Sequence, residues 1–178
     1  AVWAEGSDSA LSLVDLVFTT NQADQGSGGA LVLQDLSLQA SQLSFLGNKA
    51  GAEGGAIWAY GVEEIQLVES VFESNAAGSG SSGGALWLSF VSTLEVTDSR
   101  FCDNSAETGG AVYGFYMHGT DAWTGNIFQE NQATADGGAL YLVYSASQAM
   151  QNNTLVGNQA NGSGGSIWAT GIRTDFVN

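Results

Sequence analysis

The chain has 178 residues, of which three are Lys or Arg and 18 are Asp or Glu, so its formal net charge is −15. Nucleic-acid binding depends on many basic contacts to phosphate, and attraction to anionic lipid needs basic clusters, so this composition argues against both partners. The single Cys excludes an intrachain disulfide, and no apolar run is long enough to cross a membrane as a helix. We therefore expect no nucleic-acid partner and no membrane insertion.

Two glycines, a small residue and an aliphatic residue recur along the chain and each time begin an apolar segment. The copies start at Gly28, Gly54, Gly83, Gly109, Gly137 and Gly164. Residues 1–4 match residues 56–59, so the chain opens immediately after the position of a Gly-Gly pair. We therefore expect one β-solenoid domain over residues 1–178, with about six and a half coils, cut in mid-repeat at both ends.

A second motif, Phe-x-x-Asn-x-Ala, lies between the glycine pairs. Its apolar positions are Phe18, Phe45, Phe72, Phe101, Phe128 and, in the sixth copy, Leu155. Successive copies are 27, 27, 29, 27 and 27 residues apart. A fixed period of this size indicates a repeat architecture, in which each unit buries its apolar face only against its neighbours.

Each repeat contains three strand-like segments: one after Gly-Gly, one of the type Leu11-Ser12-Leu13, and one around the Phe. Apolar residues alternate with polar or aromatic ones in these segments, which is typical of strands with one buried face. A leucine-rich repeat has a similar period, but the second half of this repeat has no helical pattern. The sequence therefore predicts an all-β fold, a right-handed three-sided parallel β-helix with about 27 residues per coil.

The repeated Gly-Gly-Ala-Ile/Leu/Val and Phe-x-x-Asn motifs resemble the polymorphic outer-membrane protein repeats of chlamydial autotransporters. They are also similar to right-handed β-helix repeats of other secreted bacterial proteins. The resemblance extends from Ala1 to Ala169, with Leu155 in place of Phe and Ser166 in place of Ala as departures. It implies a β-helical passenger of a surface adhesin, and thus an extracellular or cell-surface location.

Aromatic residues occupy one position of the strand that follows Gly-Gly, with opposite parity to the aliphatic residues. They are Trp3, Trp58, Trp87, Tyr113, Tyr141 and Trp168, with Val32 at the second place. If this parity faces outward, the rings form a stripe along the rod, and an apolar patch of this kind marks a contact surface for a protein or a glycan. If the parity is inverted, the rings belong to the core.

Six Asn residues recur at the corner after the Phe strand: Asn21, Asn48, Asn75, Asn104, Asn131 and Asn158. Stacked one coil apart, their amides can hydrogen-bond to one another, which predicts a structural Asn ladder. Asn152 and Asn161 each begin an Asn-x-Ser/Thr triplet and are candidate glycosylation sites.

Few residues suggest chemistry. Asp15, Glu69 and Asp98 share one repeat position, which could form a calcium-binding carboxylate ladder but more simply forms a solvated face. His118 is the single histidine and is more simply a surface residue than a catalytic one, and Cys102 follows an inward Phe and should face out. We expect no catalytic residues, no metal site, no cofactor and no enzymatic activity.

These observations favour an extracellular structural or adhesive rod at the cell surface. The partners that we expect are further repeats of the same chain or a second copy stacked end to end, together with a protein or glycan ligand. The alternative is a carbohydrate-binding or polysaccharide-cleaving β-helix.

Overall fold

The computed structural model describes residues 2–6 and 9–177, and this part of the chain contains strands and no helix. The strands wind into a parallel β-solenoid of about six turns with about 27 residues per coil. Each strand pairs in parallel with the equivalent strand one coil away, so that Trp58 lies opposite Trp87 and Phe72 opposite Phe101. The predicted all-β solenoid fold is therefore confirmed.

Three long sheets, which we name A, B and C, form the sides of the solenoid. Sheet A consists of Val2–Glu5, Leu31–Gln34, Ile57–Tyr60, Leu86–Ser89, Val112–Phe115, Leu140–Val143 and Ile167–Thr170. Sheet B consists of Ala10–Val14, Ser37–Ser41, Glu64–Val68, Thr93–Thr97, Thr120–Thr124, Ser147–Gln151 and Thr174–Val177. Sheet C consists of Val17–Thr19, Ser44–Leu46, Val71–Glu73, Arg100–Cys102, Ile127–Gln129 and Thr154–Val156.

A short fourth sheet, sheet D, follows sheet C at the Asn corner. Its strands are Gln22–Ala23, Lys49–Ala50, Ser105–Ala106, Gln132–Ala133 and Gln159–Ala160. Ala76 makes parallel bridges to Lys49 and to Ser105, which connects the two parts of this sheet.

The core consists of one column of residues from each inward position. Phe18, Phe45, Phe72, Phe101 and Phe128 stack with ring centroids 4.7–4.9 Å apart and planes within 9° of parallel. The aliphatic positions of sheet A and the inward residues of sheet B complete the same core. Each fully buried Leu, Ile or Phe contributes roughly 1.5–3 kcal/mol to stability by leaving water. Because the core is repeated once per coil, this contribution recurs in every coil.

The Gly-Gly pair is required because two different constraints meet at one corner. The first glycine adopts a left-handed conformation in each copy, as at Gly83 with φ 70° and Gly109 with φ 62°. The second glycine lies against the backbone of the next coil, so a Cβ at Gly84 would collide with the carbonyl of Gly110 and the amide of Ser105. Glycine alone satisfies both constraints, which explains why the pair recurs.

Other corners use residues in the left-handed region that are not glycine. Between sheets B and C these residues are Asp15, Gln42, Glu69, Asp98 and Asn152, with φ between 48° and 55°. The acidic position noted in the sequence is therefore the tight B–C corner, which Asp and Asn tolerate better than most residues.

Sheet B changes character in its fifth and sixth coils. Asp121 and Gln148 stand where neighbouring coils place Leu94 and Ile65, and Trp123 stands where they place Val96. Asp121 and Trp123 are fully buried and Gln148 is 1% exposed. Sheet B therefore places a buried polar cluster at positions that its neighbouring coils fill with aliphatic residues.

Candidate functional site

The aromatic residues of sheet A lie on its outer face and stack along the solenoid axis. The centroid distances are 5.3 Å for Trp58–Trp87, 6.3 Å for Trp87–Tyr113, 5.3 Å for Tyr113–Tyr141 and 4.3 Å for Tyr141–Trp168. All four pairs are within 8° of parallel. Their position follows from strand alternation, because the aliphatic residues on either side of each ring point into the core.

These five stacked rings are half-buried, because each one covers a face of its neighbour and leaves its edge in solvent. Trp3 is 65% exposed and is separated from Trp58 by the coil that contains Val32. The predicted stripe thus consists of a continuous stack from Trp58 to Trp168 and of Trp3, which stands apart from it.

A second aromatic column lies beside the first, at the corner between sheets A and B. Phe90, Tyr116 and Tyr144 are 39%, 38% and 53% exposed. The ring centroids are 5.7 Å apart for Phe90–Tyr116 and 5.2 Å apart for Tyr116–Tyr144. Sequence reasoning missed this column, although spacings of 26 and 28 residues between its members follow the repeat period.

The corner residues are held in an uncommon backbone conformation. Phe90, Tyr116 and Tyr144 have φ values of 54°, 51° and 52°, whereas the same corner carries Gly61 and Gly171 in the flanking coils. A bulky residue at positive φ costs of order 1–3 kcal/mol, and such strain is concentrated at functional sites. Glycine would be unstrained at this corner, so the exposed rings of Phe90, Tyr116 and Tyr144 are held there at a cost in backbone energy.

The two columns touch, so they form one surface. Tyr60 contacts both Trp58, at 5.9 Å, and Phe90, at 5.4 Å, and Phe115 contacts Tyr116 at 4.5 Å between ring centroids. We name this surface the aromatic face. Its members are Trp58, Tyr60, Trp87, Phe90, Tyr113, Phe115, Tyr116, Tyr141, Tyr144 and Trp168.

The rings of the aromatic face are uncharged and partly buried. Burial raises the pKa of the Tyr113 phenol, and the neighbouring Tyr141 raises it further. Burial likewise raises the pKa of Tyr141, with a smaller contribution from the Asp136 carboxylate. Both phenols therefore keep their protons at neutral pH and can donate hydrogen bonds to a partner.

The six Asn residues form a continuous hydrogen-bonded column at the corner between sheets C and D. In the first five, from Asn21 to Asn131, Nδ2 donates to Oδ1 of the Asn one coil further on, at 2.9–3.0 Å. From Asn48 onward, Nδ2 also donates to the carbonyl of the Phe in the preceding coil, as Asn104 does to Phe72 at 2.9 Å. The amides are thus used within the rod, which argues for a structural role.

A second polar column, which the sequence pattern did not predict, lies at the corner between sheets B and C. The amide of Ser70 donates to Oγ of Ser99 at 3.0 Å. The amides of Ser99 and Asn126 donate to Oδ1 of Asn126 and Asn153, both at 2.9 Å.

Asn152 and Asn161, the two candidate glycosylation sites, are both exposed, Asn152 at this corner and Asn161 after sheet D.

Cys102 lies on the outer side of sheet C, as expected, but it is only 3% exposed. Its Sγ lies 3.4 Å from a guanidinium nitrogen of Arg100 and 3.4 Å from Oδ2 of Asp103, which cover it. Burial raises the pKa of the thiol, so it stays protonated and poorly reactive at neutral pH.

The described residues do not bring together three His, Cys, Asp or Glu side chains that could bind a metal ion. His118 is exposed and lies 5.7 Å from Phe90 and 6.1 Å from Tyr116 between ring centroids, at the border of the aromatic face. In the same part of the chain, no helix has the length and apolarity needed to span a membrane.

The fold and its repeated motifs define a class, the parallel β-helix made of Gly-Gly and Phe-x-x-Asn repeats. Residues 42–60 and 127–142 match the Chlamydia polymorphic membrane protein repeat. Each matched segment runs from sheet C through the Asn corner and Gly-Gly to a ring of the aromatic face, so the predicted resemblance is confirmed. Members of that family are non-enzymatic, adhesin-like proteins of the outer-membrane surface. No curated protein and no solved structure matches this chain.

Proposed function

We propose that this chain is an extracellular adhesive rod at the cell surface, without enzymatic activity, which binds a protein partner through its aromatic face. The observation that carries the proposal is the continuity of ten aromatic side chains on one side of the solenoid. Contiguous exposed apolar surface of this kind usually marks an interaction site, and Trp and Tyr dominate the energetics of such sites. The match to repeats of adhesin-like surface proteins supports the same conclusion.

The geometry favours protein over carbohydrate as the ligand. Sugars bind to flat rings when polar groups beside the rings also accept or donate hydrogen bonds to the hydroxyls. Here the faces of the stacked rings cover one another. The solvent-exposed parts are the edges of these rings and the strained rings at the corner. Such ring edges suit a second protein surface, while glycan binding remains the alternative that the experiment distinguishes.

Adhesion of protein-coated beads to a panel of cultured animal cells tests the proposal. We expect the double variant Trp87→Ser/Tyr116→Ser to lose adhesion at least tenfold while its circular dichroism spectrum is retained. Val17→Ser/Val156→Ser is the matched control, because those side chains are 65% and 50% exposed on the outer face of sheet C. We expect this control to adhere like wild type.

Pretreatment of the cells identifies the ligand class. Protease treatment should abolish adhesion, and glycosidase treatment should leave it intact. Loss after glycosidase alone would favour the carbohydrate-binding alternative. Equal adhesion of wild type and the aromatic double variant, or no adhesion to any cell of the panel, would overturn the proposal.

The proposal includes end-to-end association, with a second copy or with further repeats continuing the same stack. It is supported by the regularity of the coils, because identical backbone columns offer the same parallel pairing from one coil to the next. Negative-stain electron microscopy at increasing protein concentration is the test. We expect rods that lengthen in steps, and a single particle length at every concentration would contradict self-stacking.

A further inference from the structure

The outer face of sheet A has one coil in which the ring is missing. Six of its seven strands carry Trp or Tyr at the stacking position, and the second strand carries Val32. Trp3 and Trp58 therefore stand two strand spacings apart, about 9.6 Å, with no ring between them. The gap is a cleft of about 180 Å³ lined by Trp3, Ser27, Val32 and Trp58.

From this arrangement we propose that the cleft is a binding slot for one planar aromatic ring, an indole or a phenol carried by a partner protein next to basic residues. The inference deepens the contact role of the aromatic face and rests on that proposed function. We name the cleft between Trp3 and Trp58 the ring slot.

The spacing of the walls fits one inserted ring. Stacked rings in proteins have centroids 4.5–7 Å apart, so a ring at the Val32 level can contact both walls at once. The chain itself fills the equivalent place elsewhere, since Trp87 lies between Trp58 and Tyr113 at 5.3 and 6.3 Å. A ring in the slot would thus extend the stack from Trp3 without a break.

The lining selects an aromatic ring over a pyranose. The floor is the apolar Val32, which is only 6% exposed. The polar side chain of the lining is Ser27, whose hydroxyl already donates to a carboxylate oxygen of Glu53 at 2.8 Å. A sugar ring would leave most of its hydroxyls without partners between these walls, and unpaired polar groups in a dried site are costly.

The negative charge around the slot favours a partner ring that has basic residues next to it. Glu53 lies at the rim of the slot, where its carboxylate accepts a hydrogen bond from the lining residue Ser27. Glu5 lies on the same outward side of its strand as Trp3, because alternate residues of a strand share a face. The molecule carries a net charge of −15, with three basic residues in all. Electrostatic complementarity therefore favours an aromatic residue flanked by Lys or Arg and disfavours anionic rings such as nucleotides.

Three indole probes of different charge test the inference on the intact protein: tryptamine, N-acetyl-tryptophanamide and indole-3-acetate. Proton and methyl NMR report binding, through upfield ring-current shifts of the probe and shifts of the Val32 methyl signals. We expect affinity to fall in the order tryptamine, the amide, indole-3-acetate, and the differences to shrink at high salt, which screens charge. Methyl β-glucopyranoside is the sugar probe and should not bind.

Two variants locate the binding. Val32→Trp supplies the missing ring from the chain itself and should lower tryptamine affinity at least tenfold, and Trp3→Ala, which removes one wall, should do the same. Val17→Trp is the matched control, because it makes the same substitution at an exposed position of sheet C in the neighbouring coil and should bind like wild type.

The inference is overturned if the tryptamine shifts persist in both Val32→Trp and Trp3→Ala, or if Val17→Trp weakens binding as much as Val32→Trp. Tighter binding of the glucoside than of the indoles, or no binding of any probe, overturns it as well. Since these readouts need no cells, a failed slot can be distinguished from a failed adhesive function, which the bead assay measures separately.

Discussion

Asp121 occupies an inward position of sheet B between Leu94 of one coil and Gln148 of the next. Nε2 of Gln148 donates to Oδ2 of Asp121, and Nε1 of Trp123 donates to the amide oxygen of Gln148 at 2.9 Å. The other carboxyl oxygen, Oδ1, is buried without a hydrogen-bond partner. Burial raises the pKa of Asp121 to about 7, against the smaller opposing effects of Gln148 and the backbone of Leu94.

This buried carboxyl should make stability depend on pH. Its folded-state pKa lies above the ordinary value of about 4, so the folded protein binds more protons than the unfolded chain between about pH 4 and pH 7. Stability from this group is therefore fully present below about pH 4 and is lost as pH rises to about 7. We expect Asp121→Asn, which removes the titration, to be more stable than wild type at pH 8.

The gain is at most about 4 kcal/mol, because each unit of pKa shift corresponds to about 1.4 kcal/mol. Urea unfolding of both proteins at pH 4.5 and pH 8 measures it. The comparison with Asp121→Asn removes the common effect of the other carboxylates. An equal stability difference between the two proteins at both pH values would contradict the prediction.

Asn104 stands in the middle of the Asn ladder and uses its whole side-chain amide. Its Oδ1 accepts from the amide and the Nδ2 of Asn75, and its Nδ2 donates to Asn131 and to the carbonyl of Phe72. Asn104→Ala leaves several of these buried groups unpaired, and each unpaired group costs about 1–3 kcal/mol. We expect a loss of about 3 kcal/mol or more in the free energy of unfolding.

The matched variant is Asn158→Ala, in the sixth coil, where the side chain is half-buried. Water can replace part of its hydrogen bonding, so we expect a smaller loss than at Asn104. Chemical denaturation measures both, and equal losses at the two positions would argue against a cooperative ladder.

At the scale of the element, the Gly-Gly corner should tolerate no side chain at its second position. A Cβ at Gly84 meets backbone atoms of Gly110 and Ser105, which cannot move without shifting a whole coil. We expect Gly84→Ala to lower the melting temperature strongly, or to prevent folding. Gly26, where a Cβ meets only the Cβ of Ala23 at 4.0 Å, is the control, and Gly26→Ala should melt near wild type.

The two aromatic stacks should differ in their contribution to stability, because one is inside and the other is outside. Phe72 is fully buried, and Phe72→Ala should cost about 3–5 kcal/mol. Trp87 is half-buried and stacked on both sides, so Trp87→Ser should cost about 1–3 kcal/mol, the value of two ring pairs. Thermal unfolding of the two variants checks the order, and a larger loss for Trp87→Ser would make the outer stack part of the core.

At the scale of the whole molecule, each coil contacts its neighbours, so one coil should be removable. Leu86 pairs with Val112, and deletion of residues 86–111 therefore joins Ala85 to Val112 in register. We expect the shortened protein to retain the β-sheet circular dichroism spectrum with a modestly lower stability, as in other solenoids. Deletion of residues 86–97 breaks the register and should abolish cooperative unfolding, so a folded half-coil deletion would contradict this reasoning.

The period, the β-solenoid fold and the inward positions could be predicted from the sequence for one physical reason. Every coil must present the same residue type to the same neighbour. The Gly-Gly pair and Phe72 with its equivalents therefore recur in the sequence once per coil. Strand alternation then determines which side of sheet A carries Trp58 and Trp87. The amides of the Asn ladder follow from the same repetition, since a buried amide needs an identical partner above and below.

Features that depend on exceptions to the repeat required the tertiary structure. The exposure of Phe90 and Tyr116 depends on a left-handed corner, which the sequence pattern assigns to Gly or Asn rather than to an aromatic residue. The pairing of Asp121 with Gln148 joins two departures 27 residues apart, and neither departure predicts the other. The covered state of Cys102 likewise depends on the rotamers of its neighbours.

The same distinction applies to the sites. Repetition determined that this chain would be a β-solenoid with aromatic rings at one strand position, because backbone pairing between coils leaves no other register for them. Only the tertiary structure decided that the rings from Trp58 onward close into one stack and merge with a corner column. It also decided that Val32 leaves a cleft beside Trp3, because an open gap depends on how the surrounding side chains pack and not on which residue is missing.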